Sequence, residues 1–171
     1  MRPFVLVVVI LIISNGPLFA NDEKEIKHAL LKYNYGIIKM AKSGETDFFK
    51  SFVKKEVVTK LMLWVKAWQD NNLVMLANIN DFQFSPIVYN ENNATMTTTE
   101  NWSFSYVNIA TKKMAHDNVD MLYKMRYTLE KHPHGWMIVE IKHLEETVTT
   151  KPHKPSLNKK DKPKDDKATT H

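Results

Sequence analysis

The chain has 171 residues, a formal net charge of +5 and no cysteine, which excludes a disulfide, a thiolate zinc site and a cysteine nucleophile. Seven Lys and three Asp in residues 151–171, together with Arg2, account for the whole of that charge, so residues 21–150 are neutral in sum. Because nucleic-acid binding depends on a basic surface in the domain itself, this distribution argues against a nucleic-acid role.

Residues 1–20 have the order of a secretory signal peptide. Arg2 precedes an apolar run over residues 4–13, which is followed by a polar, helix-breaking segment at residues 14–17 and the small residue Ala20. The apolar run ends well before the roughly 20 residues that a membrane-spanning helix needs. We therefore predict cleavage after Ala20 and an exported protein, periplasmic or secreted. The alternative is that the segment stays in place as a membrane anchor.

The first part of the predicted domain, residues 21–150, has helical periodicity. Asn21 and Asp22 are candidate caps of a first helix, which Ser43-Gly44 ends. Apolar residues recur along it with the spacing of one helix face, at Ile26, Ala29, Leu30, Tyr33, Ile37 and Ala41. A second helical stretch begins near Thr46 and ends at residues 70–72. It is either one helix or two helices with a bend near Lys55-Glu56.

From Phe82 the apolar period changes to two, which indicates half-buried strands. One strand alternates over residues 94–106 and another over residues 119–130. The last strand runs from Trp136 to about Leu144.

Two polar segments between these strands, residues 90–93 and 132–135, have the composition of hairpin turns. The strands that they join should therefore pair antiparallel. Helices followed by a meander of strands predict a single α+β domain, with the helices packed on one face of the sheet.

The C-terminal tail, residues 151–171, has no aromatic residue and three Pro among its lysines. It cannot bury enough apolar surface to offset the entropy of ordering, and we predict that it is disordered. It is either a solvated, non-binding tail or a tether near an anionic envelope surface.

The end of the predicted domain has a recognisable pattern. Tyr123 and Tyr127 lie on one strand, Gly135 follows in a tight turn, and Trp136-Met137-Ile138 opens the closing strand. This hairpin, preceded by two helices, resembles the nuclear transport factor 2-like superfamily over roughly residues 24–144. The resemblance implies a cystatin-like α+β cone, in which a curved sheet wraps around the helices and encloses a pocket. Such cones serve enzymes, ligand-binding proteins and pure protein contacts, so the fold alone assigns no function.

The same resemblance does not carry over an enzymatic activity. Catalytic members, such as the ketosteroid isomerases and the SnoaL-like cyclases, place an acidic residue or a His-Asp pair inside the cone. No position of this chain matches those motifs residue by residue. We therefore assign no catalytic residue, and Glu100 is only a weak candidate.

Glu100 is the most informative side chain because it falls on a strand face otherwise occupied by Met96, Trp102 and Phe104. A carboxylate desolvated among aromatic rings could act as a general base or hold a cationic ligand. Alternatively, the strand overhangs the core at this point and Glu100 lies in solvent, which is the usual place for glutamate.

Five aromatic residues on these strands are candidates for lining a ligand pocket. They could stack on a small hydrophobic or aromatic ligand and hydrogen-bond it through phenol hydroxyls, or they could simply form the core. They are Trp102, Tyr106, Tyr123, Tyr127 and Trp136.

Histidines suggest no metal site. His132 and His134 lie on a turn, whereas His143 lies near the far end of the next strand, roughly 25 Å away at the rise of a strand. His116-Asp117 in the polar segment 108–118 is best interpreted as a solvated pair. We predict no metal and no cofactor.

These observations leave three hypotheses of function. The first is a non-enzymatic interaction module of a cell-envelope or secreted assembly, with a protein partner. The second is a small-molecule binding protein that uses the aromatic face and Glu100. The third is a lyase or isomerase with Glu100 as its base. A deep pocket that contains Glu100 favours the second or third, and a filled cone with an exposed apolar patch favours the first.

Overall fold

The computed structural model describes residues 16–150, including the side chains of 21–115 and 118–150, and it is an α+β fold with two α-helices packed on a curved antiparallel sheet. The predicted tail and residues 1–15 of the predicted signal peptide lie outside the described residues. In chain order, the elements are α1 (Gly16–Ser43), a 3-10 turn (Asp47–Phe49), α2 (Lys55–Asp70), β1 (Leu73–Phe84), β2 (Val88–Asn90), β3 (Asn93–Asn108), β4 (Met114–His132) and β5 (Gly135–Val148).

The sheet has the order β1-β3-β4-β5, with the short β2 paired to the start of β3. All the pairings are antiparallel. The register shifts between Ile79 and Asp81 in β1 and between Thr128 and Leu129 in β4. Such bulges bend a strand and increase its twist, so they help the sheet to curve around the helices. The predicted hairpin turns at residues 90–93 and 132–135 are confirmed.

The buried face of α1 lies against the concave side of the sheet. Ile26, Leu30 and Tyr33 are buried there, as the helical spacing predicted, and they join a core that includes Tyr127 and Leu129 of β4. Residues of one helix face recur every three or four positions, which is why this apolar stripe meets the sheet along most of the helix.

The second helical stretch is broken, as one of the two alternatives predicted. The 3-10 turn ends at Phe49 and α2 begins at Lys55. Between them, the Lys54 N–H donates to the Ile138 carbonyl (2.9 Å) and the Ile138 N–H donates to the Phe52 carbonyl (2.9 Å). This segment therefore bonds to β5, and its backbone groups are not free for a continuous helix.

The first helix begins at Gly16 and not at Asn21-Asp22, and it runs through the predicted cleavage point. Pro17 is compatible with a helix start because the first N–H groups of a helix have no intrahelical partner. Asp22 does not cap the helix. It accepts from Lys131 Nζ (2.8 and 2.9 Å) and from Trp136 Nε1 (3.2 Å), which fastens α1 to the β4–β5 hairpin. Neither described helix has an apolar stretch long enough to cross a membrane.

Two strands are longer than the periodicity predicted. β1 starts at Leu73, before the change of period at Phe82. Alternation did not predict this start, because residues 73–77 form a continuous apolar run. β5 continues to Val148 and pairs with β4 up to that residue. Most side chains at its end are exposed, so the sequence shows no apolar alternation that would indicate this pairing. The polar segment 108–118 is mostly strand, since β4 already begins at Met114.

Gly36 of α1 offers a test of this packing. A Cβ atom at Gly36 would lie 2.6 and 2.7 Å from two ring atoms of Phe49, which is fully buried. We expect Gly36→Ala to lower the free energy of unfolding by ~1–2 kcal/mol, because overpacking outweighs the gain of roughly 1 kcal/mol in helix propensity. Urea denaturation measures this change. Lys39→Ala, at an exposed position of the same helix, should change stability by less than about 0.5 kcal/mol. A more stable Gly36→Ala variant would contradict the packing described here.

Candidate functional site

A cavity of about 300 Å³ lies between the two helices and the concave face of the sheet. At one end it is closed by buried polar side chains, including Asn34 and Glu100, and at the other it is bordered by the exposed His143 and Glu146. The residues that line it are Tyr33, Asn34, Ile37, Leu61, Trp64, Glu100, Trp102, Phe104, Tyr123, Met125, Tyr127, Ile141, His143 and Glu146.

Glu100 lies at the buried end of the cavity with 2% of its surface exposed. The alternative that it lies in solvent is therefore wrong, because α1 covers this part of the sheet. Thr98 Oγ1 donates to its Oε1 (2.6 Å) and Trp102 Nε1 donates to its Oε2 (2.9 Å). Both neighbours are two positions away on β3, and side chains two apart on a strand share a face.

A third donor to Glu100 comes from the neighbouring strand. The Tyr127 hydroxyl of β4 donates to Glu100 Oε1 at 2.7 Å. Asn34 Nδ2 of α1 donates to this same hydroxyl (3.2 Å) and to the Leu30 carbonyl (3.1 Å). A chain of hydrogen bonds thus links α1, β4 and β3. The three groups around the carboxyl group can all donate to it, an arrangement that satisfies an ionised carboxylate.

Burial, together with the charge of Glu100, keeps the phenols of Tyr127 and Tyr33 neutral. Burial raises the pKa of Tyr127 well above its ordinary value, and the negative charge of Glu100 and the hydrogen bond to it raise this pKa further. Burial also raises the pKa of Tyr33, and the charge of Glu100 adds to the effect. Tyr127 therefore remains a donor to Glu100 at any physiological pH.

Aromatic rings form one wall of the cavity. The rings of Trp102 and Phe104 stack with their centroids 5.7 Å apart and an interplanar angle of 5°. Tyr123 meets Phe104 edge to face with the centroids 6.1 Å apart. Three predicted pocket residues, Trp102, Tyr123 and Tyr127, are brought together here.

The other two predicted pocket residues lie elsewhere. Tyr106 packs on Trp68 of α2, with the ring centroids 4.5 Å apart. Trp136 is buried at the start of β5, where its Nε1 donates to Asp22. Strand alternation assigns a residue to one face of a sheet, but it does not say which part of that face borders a cavity.

Two ionisable side chains, His143 and Glu146, lie together at the open end of the cavity. His143 Nε2 lies 3.5 Å from Glu146 Oε2, and the His143 ring meets that of Tyr123 edge to face at 5.6 Å. His132 and His134 lie in and next to the β4–β5 turn, away from this group. Among the side chains that the structure describes, those of residues 21–115 and 118–150, no three His, Asp or Glu are placed to hold a metal ion.

Asn34, which connects α1 to the carboxylate network, was not predicted from the sequence. The available signal was an amide next to Tyr33 and four residues after Leu30, on the face of α1 that is otherwise apolar. A polar residue on a buried helix face needs a partner, and Tyr127 supplies it.

Comparison with known proteins supports the fold and goes no further. Neither the models of known protein families nor the curated proteins contain a match to this sequence. The crystal structure of the intermembrane space region of the chloroplast protein ARC6 is similar, with a TM-score of 0.60, 13% identity, and coverage of 72% of this chain and 96% of that one. Kfla4162 from Kribbella flavida is similar with a TM-score of 0.51, 12% identity, and coverage of 77% and 93%.

A protein of the NTF2-like family from Streptomyces avermitilis matches with a TM-score of 0.46, 13% identity, and coverage of 70% of this chain and 92% of that one. This score is too low to carry an argument. The comparisons show the α+β architecture alone.

Proposed function

We propose that this chain is an exported small-molecule binding protein whose pocket takes a ligand with a small aromatic or aliphatic body. One observation carries the proposal, the cavity of about 300 Å³ that reaches from exposed residues to the buried Glu100. Ligand sites in proteins are concave, mostly apolar and roughly 300–1,000 Å³ in volume, with a few convergent polar groups. Export rests on the signal-like sequence of residues 1–20.

The chemistry of the lining supports a binding role more than a catalytic one. Trp102, Phe104 and Tyr123 offer ring surface for stacking, whereas the polar groups converge on Glu100 at the buried end. Three of the roughly four acceptor positions of the Glu100 carboxylate are already filled. The remaining position suits a donor from a bound ligand, and no position of the chain matches a catalytic motif residue by residue, so we do not propose the lyase or isomerase role.

Native mass spectrometry of the protein purified gently from its own host tests this function. We expect a small-molecule adduct on the wild type, and we expect Ile141→Trp to lose it because the larger side chain fills the cavity. Lys142→Trp is the matched control, since the next residue of β5 points to the other face and is exposed. An adduct that survives Ile141→Trp, or a wild type without an adduct, would count against the proposal.

A second candidate function is binding of a protein partner through α2. Three successive apolar side chains of this helix, Met62, Leu63 and Trp64, are 47%, 63% and 38% exposed. Exposed apolar surface of this kind often marks a contact site. A partner that co-purifies from the host, and is lost with Leu63→Lys but kept with Ile141→Trp, would favour this function.

A further inference from the structure

We infer that the ligand of this pocket is an organic cation, a primary or secondary ammonium with a small aromatic or aliphatic body. This inference rests on the proposed function and deepens it by naming the chemical class of the ligand. It follows from the charge of the lining, from a free acceptor position on Glu100 and from the neighbouring aromatic rings.

The charges that line the cavity are negative. Glu100 lies at the buried end and Glu146 at the open end, and no Lys or Arg is among the described residues that line it. His143 also lines the cavity and can carry a positive charge when protonated. It lies at the open end, with its Nε2 3.5 Å from Glu146 Oε2. A cationic ligand would therefore meet a carboxylate at each end of the pocket.

Glu100 has no cationic partner within the described part of the chain. The ion pairs found between residues 21 and 150 do not include it. A buried charge is unfavourable unless it is paired and hydrogen-bonded, and here only neutral donors reach it. An ammonium group would supply the missing counter-charge.

The carboxylate also keeps one position open for a further donor. Oε1 accepts from Thr98 and Tyr127, whereas Oε2 accepts from Trp102 alone. A carboxylate offers roughly four acceptor positions, two on each oxygen, so Oε2 can take one more hydrogen bond. An N–H of a protonated amine fits this position, and a ligand anion would be repelled there.

The aromatic wall supports the same class of ligand. Trp102 both donates to Glu100 and stacks on Phe104, which places a ring beside the carboxylate. Cations are attracted to the faces of Trp, Tyr and Phe rings, most strongly where water is excluded. A carboxylate next to aromatic rings is a suitable environment for an ammonium group on an apolar body.

Three probes of matched shape and different charge test the inference by titration calorimetry at pH 7. They are 2-phenylethylammonium, 2-phenylethanol and 3-phenylpropanoate. We expect the cation to bind about tenfold to a hundredfold more tightly than the alcohol, as a charge-assisted hydrogen bond implies, and the anion to bind least. Equal affinities, or a preference for the anion, would overturn the inference.

Variants separate the charge inference from the proposed function. Glu100→Gln should erase the preference for the cation, whereas Glu145→Gln, on the same strand as Glu146 but outside the lining, should retain it. If Glu100→Gln does not fold, the comparison of the three probes on the wild type still decides. If the three probes bind the wild type equally well and none of them binds Ile141→Trp, only the inference of a cationic ligand is refuted. No binding, or binding that Ile141→Trp leaves unchanged, would refute both.

Discussion

Tyr127→Phe is expected to lower the free energy of unfolding by about 2 kcal/mol, although it removes a single oxygen atom. The hydroxyl is buried, and it donates to the Glu100 carboxylate while accepting from Asn34. A hydrogen bond to a charged group contributes roughly 1.5–3 kcal/mol, and its loss leaves a buried carboxylate with fewer donors. Urea denaturation at pH 7 measures the change.

Tyr123→Phe is the matched control for this prediction. The same atom is removed from a tyrosine on the same strand and in the same cavity, but nearer the open end and only partly buried. We expect a change below about 0.5 kcal/mol, as for most substitutions at accessible positions. Equal losses in the two variants would show that the Glu100 network contributes nothing special to stability.

A double variant examines whether the donors act together. Thr98→Val removes the other donor to Glu100 Oε1, so Thr98→Val with Tyr127→Phe leaves this oxygen without a partner from the network. We expect the double variant to be less stable than the sum of the two single changes predicts, since residues of one hydrogen-bond network couple. Simple additivity would mean that each donor acts alone.

The second large effect is a loss of stability at alkaline pH. The pKa values of Tyr33 and Tyr127 are raised in the folded protein, first by burial and then by the charge of Glu100. In the unfolded chain a tyrosine loses its proton near pH 10. Above that pH the unfolded state binds fewer protons than the folded state, so stability falls as the pH rises towards the raised pKa values.

The slope of this loss is the measurable quantity. Each of the two tyrosines contributes about 1.4 kcal/mol per pH unit, or roughly 2.7 kcal/mol together. Over two pH units this change approaches the roughly 5–15 kcal/mol that stabilises an ordinary domain. Urea midpoints measured from pH 9 to 12 should therefore decrease steeply.

Variants assign this slope to the two residues. Tyr33→Phe and Tyr127→Phe should each reduce the slope by about 1.4 kcal/mol per pH unit. The double variant should keep only the slope of the remaining groups, which include Tyr89, Tyr106 and Tyr123, whose pKa values are also raised by burial. A slope that neither substitution changes would show that other groups determine the alkaline instability.

The strand pattern of β3 and β4 was predictable because it depends on local alternation. Apolar residues recur at most of the alternate positions on the face that carries Trp102, Tyr123 and Tyr127, and the structure places these three side chains together. The start of β1 was not predictable in this way, because the apolar run from Leu73 to Ala77 has no period.

The environment of Glu100 was not predictable from the sequence for a different reason. Its burial depends on Asn34 and Tyr127, which lie 93 positions apart and meet only in the folded chain. Alternation along β3 places Glu100 on the apolar face, but only the packing of α1 over that face excludes solvent from it. The same long-range packing separates Trp136 and Tyr106 from the cavity.

A crystal structure of the protein purified from its own host tests the central claim most directly, which is that the cavity holds a ligand against Glu100. We predict electron density in the cavity, bordered by Trp102 and Tyr123, with a ligand atom within about 3 Å of Glu100 Oε2. A cavity closed by the side chains of Trp64, Tyr123 and His143, with no room for a ligand and with Glu100 satisfied by protein alone, would contradict it.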